Sequence, residues 1–293
     1  MGAMRRLEWL ARKRKYGSLS GRHVSPDKGV SVEFAEHRAY TRGDDPKNLD
    51  WRVMAKSDRN VIKQFIEETN LRTTVVLDAS GSMDFTGEES AEVNGKPMSK
   101  LDYGRYLAAA LSYLYIKQGD AAGLVTFDKE IKTSLRAASR PSQVRRLLEN
   151  LHETKVGAET ELGPVLHEIA ERIPRRGLVI LISDFFDKPE SIIEALHHFD
   201  YRQHELVLFH VLAEEEQTFP FKSFQRFRDL EGVEEMLRID PRAVRAAYLT
   251  RLKEFIKQVE TACGNLHADY VPISTKTPLR DTLVKYLGRR MKA

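Results

Sequence analysis

The run Thr73-Thr74-Val75-Val76-Leu77 is β-branched or apolar at every position and ends in Asp78-Ala79-Ser80-Gly81-Ser82. A strand with one wet face alternates polar and apolar residues. An uninterrupted run such as this fits a strand buried on both faces inside a parallel sheet. Ligands of such sheets collect at the carboxyl ends of the strands. Asp78, Ser80 and Ser82 therefore put one carboxylate and two hydroxyls, all hard oxygen donors, on a tight turn where ligands are held.

Two later segments fit the same edge. Gly177-Leu178-Val179-Ile180-Leu181-Ile182 reads as a second central strand and ends in Ser183-Asp184. Gly157-Ala158-Glu159-Thr160-Glu161-Leu162 reads as a loop entering a helix, with Thr160 near the helix N-terminus. Asp78, Ser80, Ser82, Thr160 and Asp184 together form an all-oxygen set drawn from three loops. Such a set suits Mg²⁺ or Mn²⁺ and not zinc, because no Cys or His stands at metal spacing.

Around these segments strands and helices alternate. Helices are predicted over Leu101 to Ile116, Ser142 to His152, Leu162 to Ile173 and Ser191 to Phe199, with further strands over Ala121 to Phe127, Ile131 to Leu135 and Glu205 to Val211. Ser99-Lys100-Leu101-Asp102 resembles a capping box. A helix from about Arg242, stopped by Gly264-Asn265, a strand near Ala268 to Ile273 and a helix from Leu279 to Arg289 complete the pattern. This is the order of an open, doubly wound, mostly parallel α/β sheet with helices on both faces. Residues 219–240 interrupt it with a period-two pattern that reads as a hairpin inserted at a sheet edge. Residues 84–98 form a polar loop with an Asn94-Gly95 turn signal, long enough to lie beside the oxygen cluster as a lid. The domain proper is placed at 71–293 and an irregular extension at 1–70, in which Val61 to Ile66 reads as a strand lying near the main sheet.

Asp-x-Ser-x-Ser on a first strand, a Thr in a following loop and an Asp after a later strand resemble the metal-ion-dependent adhesion site of von Willebrand factor A-like domains. That resemblance implies that Ser80, Ser82 and Thr160 touch the metal directly, and that Asp78 and Asp184 act directly or through water. It also implies an open coordination position for an acidic residue of a partner protein. Upstream, Glu33 to Pro46, Asn48-Leu49-Asp50-Trp51-Arg52 and Lys63-Gln64-Phe65 resemble the signature of the bacterial proteins called domain of unknown function family fifty-eight. The likeness covers roughly residues 20 to 215 and implies a working partner, a MoxR-type AAA+ ATPase, but no known reaction.

Composition narrows the alternatives. With 293 residues and 41% hydrophobic content the chain has material for a sizeable core. The single Cys263 excludes an intrachain disulfide and reads as a small buried hydrophobe. No stretch has the length of a signal peptide's apolar region or a membrane span, so a cytoplasmic location is expected. Net charge is +4, and eight Lys or Arg fall in the first 30 residues against Glu8 and Asp27. A basic arm can meet nucleic acid, anionic lipid or an acidic partner, but no aromatics interleave as in single-strand binders, and a solvated helix end is the favoured reading.

Other charged groups have plain readings. The charged block of Asp44, Asp45 and Asp50 with Arg38, Arg42 and Arg52 reads as a turn fastened by ion pairs, with Trp51 as a packing anchor. His197, His198, His204 and His210 match no zinc spacing, and Glu214-Glu215-Glu216 reads as a solvated turn. No nucleophile elbow and no phosphate loop are present, so no enzymatic activity is expected. The leading expectation is a metal-dependent adaptor that accepts an acidic side chain from a protein partner. The alternative is a metal-dependent phosphoester hydrolase using Glu159, Glu161 or Asp187 as base. Two facing carboxylates without a cation repel, so Asp184→Ala is expected to stabilise the metal-free protein.

Overall fold

The computed structural model describes residues 32–41, 49–57, 59–67, 71–157, 161–174, 176–221, 225–227, 237–239 and 241–290. They divide into two compact units, one within Ser18–Asn70 and the other from Leu71 onward.

In the smaller unit, strand β1 (Val32–Ala39) pairs antiparallel with β2 (Val61–Glu67), with an irregularity in register between Phe34 and Glu36. Between them lies a short helix, α1 (Trp51–Ser57). Asp50 starts it as a cap: its Oδ1 accepts from Arg52 N at 3.0 Å and Val53 N at 3.2 Å, satisfying donors that a helix start leaves orphaned. Two expectations are corrected. The strand at 61–67 pairs inside its own two-stranded sheet and not with the main one. Trp51 is 62% exposed and so is no packing anchor, because the first residue of a capped surface helix faces water. Arg42, Asp44 and Asp45 lie outside the described residues.

In the larger unit the strands are β3 (Arg72–Asp78), a small hairpin β4–β5 (Glu92–Val93, Lys96–Pro97), β6 (Ala121–Phe127), β7 (Ile131–Ala138), β8 (Gly177–Ser183), β9 (His204–Leu212), β10 (Gln225–Phe227), β11 (Leu237–Ile239) and β12 (Asp269–Ser274). The helices are α2 (Lys100–Lys117), α3 (Pro141–Glu153), α4 (Leu162–Arg172), α5 (Pro189–Tyr201), α6 (Glu214–Thr218), α7 (Pro241–Asn265) and α8 (Leu279–Arg290). Six strands form one sheet in the order β12-β9-β8-β3-β6-β7, parallel except where β7 returns antiparallel beside β6. The chain builds from β3 outward to β7, then crosses back to build from β8 to β12, so the winding reverses between β3 and β8. This is the doubly wound, von Willebrand A-like arrangement expected from the sequence, and its switch point is the crevice in which such sheets bind ligands. The predicted hairpin in 219–240 exists, but among the described residues β10 and β11 pair with each other in a separate sheet, a correction to its placement at the sheet edge.

Alternate residues of each central strand serve opposite cores. Val75 and Leu77 of β3, with Ile180, Ile182, Phe209 and Val211, pack with α2, α3 and α8 through Leu107, Leu111, Leu147, Leu151 and Tyr286. Val76, with Val179, Leu181, Leu206 and Leu208, packs with α4, α5 and α7 through Leu166, Ile169, Leu196, Phe199, Val259 and Cys263. Both faces of β3 are dry, which is why its sequence shows no alternation. Cys263 is buried, and burial pushes its thiol up to about 12. The Asn94-Gly95 pair turns the β4–β5 hairpin with φ of 53° and 74°, the left-handed geometry that these residues tolerate best. Helix α7 ends at Asn265, at the predicted Gly264-Asn265 stop, and the chain turns at His267, φ 53°, where Ala268 N closes back on Cys263 O at 2.8 Å.

His210 sits in the middle of this core on β9, with Nδ1 2.5 Å from the Tyr270 hydroxyl and ring edges against Phe185 and Phe255. Burial pushes its pKa down to about 4 against the pull of Asp184. Its ordinary value is 6.5, so between about 6.5 and 4 the unfolded chain binds a proton that the folded one refuses, and stability falls as pH falls through that window. The loss is roughly 1.4 kcal/mol per unit of depression. Urea midpoints from pH 7 to 4 are expected to fall less steeply in His210→Asn than in wild type. Equal slopes would contradict a neutral core histidine.

Candidate metal centre

Asp78 is the last residue of β3 and has no exposed surface. Ala79 N donates to Phe127 O at 2.8 Å, tying the turn to the end of β6. Ser80 N donates to Asp78 Oδ1 at 2.9 Å, and a short 3₁₀ turn, Gly81–Asp84, carries Ser82 back beside Ser80, with the two hydroxyl oxygens 3.2 Å apart. The other oxygen, Asp78 Oδ2, accepts from Ser183 Oγ at 2.5 Å, and Ser183 Oγ in turn accepts from Phe185 N at 2.8 Å. One oxygen of the first carboxylate is thus oriented by its own turn and the other by Ser183 at the end of β8.

Asp184 follows β8 and is equally buried, with the turn completed by Phe185 at φ 50°, a conformation that side chains rarely adopt. Its Oδ2 accepts from Lys100 Nζ at 2.6 Å, and Phe186 N donates to its Oδ1 at 3.3 Å. Lys100 Nζ also donates to Glu216 Oε1 at 2.7 Å. The side chains of Lys100 and Asp184 are 2% and 1% exposed and that of Glu216 23%. Burial pushes the Asp184 carboxyl up, but the Lys100 ammonium and the Ser82 hydroxyl outweigh it and hold the group below its usual value. Asp78 has no such partner. Burial first and Asp184 second push it up to about 6, against the hydrogen bonds from Ser183 and Ser80. The expectation for Asp184→Ala is therefore reversed: removing Asp184 would leave a buried ammonium with Glu216 alone, and the strained carboxylate is Asp78.

The third loop approaches from α4. Gly157 N donates to Ala79 O at 2.7 Å, and a side-chain carbon at Gly157 would overlap the Asp128 carboxylate, so only glycine permits this approach. Thr160 and Glu159 lie outside the described residues. Beyond them, Leu162 N and Gly163 N donate to Asp187 Oδ2 at 2.8 and 3.4 Å, and Lys188 N donates to Asp187 Oδ1 at 2.6 Å. Asp187, read from the sequence as a candidate base, caps the start of α4.

Asp78, Ser80, Ser82 and Asp184 are brought to one crevice, at the ends of adjacent strands β3 and β8. Among the described residues no three His, Cys, Asp or Glu side chains gather as a metal cage, so an ion here depends on hydroxyl donors as well as carboxylates. The chemistry of the donors, two carboxylates and two hydroxyls, fits a hard dication.

Three participants were missed in the sequence. In the sequence Ser183 reads only as a strand end. Lys100 reads as part of the cap of α2, where Ser99 Oγ does accept from Asp102 N at 3.1 Å while the Asp102 carboxylate turns away to Arg105 at 2.9 Å. The available signal was periodicity: Lys100 stands four residues before Gly104 and seven before Leu107, on the apolar face of the helix. Glu214-Glu215-Glu216 is no solvated turn. Glu214 accepts from Ser274 Oγ at 3.1 Å, Glu215 from Glu89 N at 3.2 Å, and Glu216 from Lys100.

Among known proteins, the chain is 28% identical over 243 residues to Uncharacterized protein Mb1516 of Mycobacterium bovis, a match covering 82% of this chain and 74% of that one. Among solved structures, the conserved hypothetical protein BatB from Bacteroides thetaiotaomicron superposes with a TM-score of 0.48 at 16% identity, covering 76% of this chain and 100% of BatB. The SpRpn10 VWA domain gives 0.40 at 11% identity over 74% of this chain and 95% of its own. Among the described residues no helix is long and apolar enough to cross a membrane. The family described as "Protein of unknown function DUF58" matches residues 36–257, and the chain belongs to it.

Proposed function

We propose that this chain is a metal-dependent protein-interaction adaptor of the cytoplasm, without enzymatic activity of its own. The observation that carries the reading is the convergence of two buried carboxylates, Asp78 and Asp184, with the Ser80 and Ser82 hydroxyls at the β3–β8 switch point. Asp78, Ser80, Ser82 and Asp184, with Thr160 from the third loop, would hold Mg²⁺ or Mn²⁺. When bound, the ion supplies a positive centre able to accept an Asp or Glu of the partner, a stronger attraction than an exposed salt bridge of about 0 to 1 kcal/mol.

The chain's own residues prepare the contact. Ser183 and Ser80 N fix the direction of Asp78, and strand ends in a packed sheet hold the donors more firmly than free loops do. Phe186, 66% exposed, is anchored through its backbone N to Asp184 and offers an aromatic surface beside the centre. The family signature supports a MoxR-type AAA+ ATPase as partner, with this chain recruiting the ATPase or its client in protein remodelling or complex assembly. The rival hydrolase reading is weakened at Asp187, whose carboxylate is occupied by backbone N–H groups.

Two outcomes are expected. Asp78→Asn keeps the shape and removes the unpaired buried charge, so at pH 7.5 in EDTA it melts above wild type, whereas millimolar Mn²⁺ raises wild type alone. A ligand at ten times its dissociation constant adds about 1.4 kcal/mol, a rise of a few degrees for a domain of this size. A Mn²⁺ response retained in the variant would remove Asp78 from the centre. In pull-downs with a MoxR-type ATPase, EDTA and Ser82→Ala should each cut recovery about tenfold or more, since tenfold is only 1.4 kcal/mol of binding. Recovery unaffected by either treatment would eliminate the metal bridge.

A further inference from the structure

Lys100 is an unusual residue to find in this position. It opens α2, where the positive end of the helix dipole disfavours a cation, and its side chain is 2% exposed. An ammonium taken out of water is tolerated only when paired and hydrogen-bonded. Its partners come from separate elements: Asp184 after β8 at 2.6 Å, Glu216 on α6 at 2.7 Å, and the Phe85 ring with its centroid at 5.9 Å. Gly104, one turn along, has no room for a side-chain carbon against Leu77 and Ile182, and this close approach of α2 to β3 and β8 brings Lys100 to the strand ends. Glu216 is itself fixed, its Oε2 accepting from Ala213 N at 2.7 Å.

We propose that the Lys100 ammonium is the resident counter-ion of the candidate metal centre, neutralising Asp184 when no dication is present and setting dication affinity low. The proposal rests on the metal reading above and adds a regulator to it. An Asp184 oxygen that faces an ammonium has less charge to offer a metal, so the two cations compete for one carboxylate. Glu216 gives the ammonium a second carboxylate, which keeps Lys100 paired when Asp184 serves the metal. Asp78, Asp184 and Glu216 set three acidic side chains against the one ammonium of Lys100, a formal excess of two that a dication matches. A centre tempered in this way folds without metal, binds the ion weakly and saturably on its own, and binds it more tightly when a partner carboxylate completes the coordination.

Lys100→Met keeps the length of the side chain and removes its charge, whereas Glu216→Gln leaves the ammonium on Asp184 alone. The two variants should move Mn²⁺ affinity in opposite directions. Calorimetric titration of the full chain with Mn²⁺ is expected to show about tenfold or more tighter binding by Lys100→Met, the scale of removing one nearby unit charge. It should show binding several-fold weaker than wild type by Glu216→Gln. Thermal unfolding gives a second readout: Lys100→Met melts below wild type in EDTA and recovers further in Mn²⁺. If wild type binds Mn²⁺ and neither variant departs from it, Lys100 is a structural ion pair only and the proposal is overturned while the metal centre stands. Absence of binding by wild type and both variants would overturn the metal reading and this proposal with it. Should Lys100→Met fail to fold, Glu216→Gln decides alone, and binding as tight as wild type would overturn the proposal.

Discussion

Two carboxylates at the ends of neighbouring buried strands cannot both stay charged out of water unless positive charge stands beside them. Asp78 and Asp184 are in that situation, and the surrounding architecture is arranged around it. Asp184 is neutralised from within by Lys100, whereas Asp78 is held only by dipoles from Ser183 and Ser80. The uneven division explains why one carboxyl lies below its usual pKa and the other well above it. A buried acid left short of positive charge at the mouth of a parallel sheet is suited to binding a cation.

The sheet makes the geometry possible. Because winding reverses between β3 and β8, their carboxyl ends stand side by side without a crossover connection over them. The third loop then joins through Gly157, and Asp187 secures the far side of that loop by capping α4. The acidic triplet after β9 serves as a brace. Its three side chains reach Lys100, the segment before the β4–β5 hairpin and the end of β12, and Ser90 and Ala91 bind Thr275 in the same region. Loop 84–98 is therefore fastened to the end of the sheet by specific bonds. Around the centre, the exposed ring of Phe186 supplies apolar surface where a partner's acidic side chain would arrive.

Much of the fold was legible because its signals are local. Continuous apolar runs marked β3 and β8, helical periods marked α2 to α5, and together they imply the doubly wound sheet and the edge to which Asp78 and Asp184 belong. What stayed hidden depends on partners distant in sequence. Lys100 finds its carboxylates 84 and 116 residues away, and a cap motif gave it a sufficient local explanation. The acidic triplet likewise looks solvated until its distant partners are known. The strand at 61–67 has a partner that precedes it in the chain, β1, whose sequence carries no clean period. Trp51 looked like an anchor on residue type alone, but its place at the exposed start of α1 is fixed by the Asp50 cap.

The central claim is that hydroxyls and carboxylates at the β3–β8 crevice form one metal centre, and counting bound Mn²⁺ by equilibrium dialysis tests it most directly. Wild type is predicted to bind one Mn²⁺ per chain saturably, and the Ser80→Ala/Ser82→Ala double variant, which keeps both carboxylates, is predicted to lose it. Binding unchanged in the double variant would mean that acidic surface merely attracts the ion, and no saturable binding by wild type would contradict the account itself.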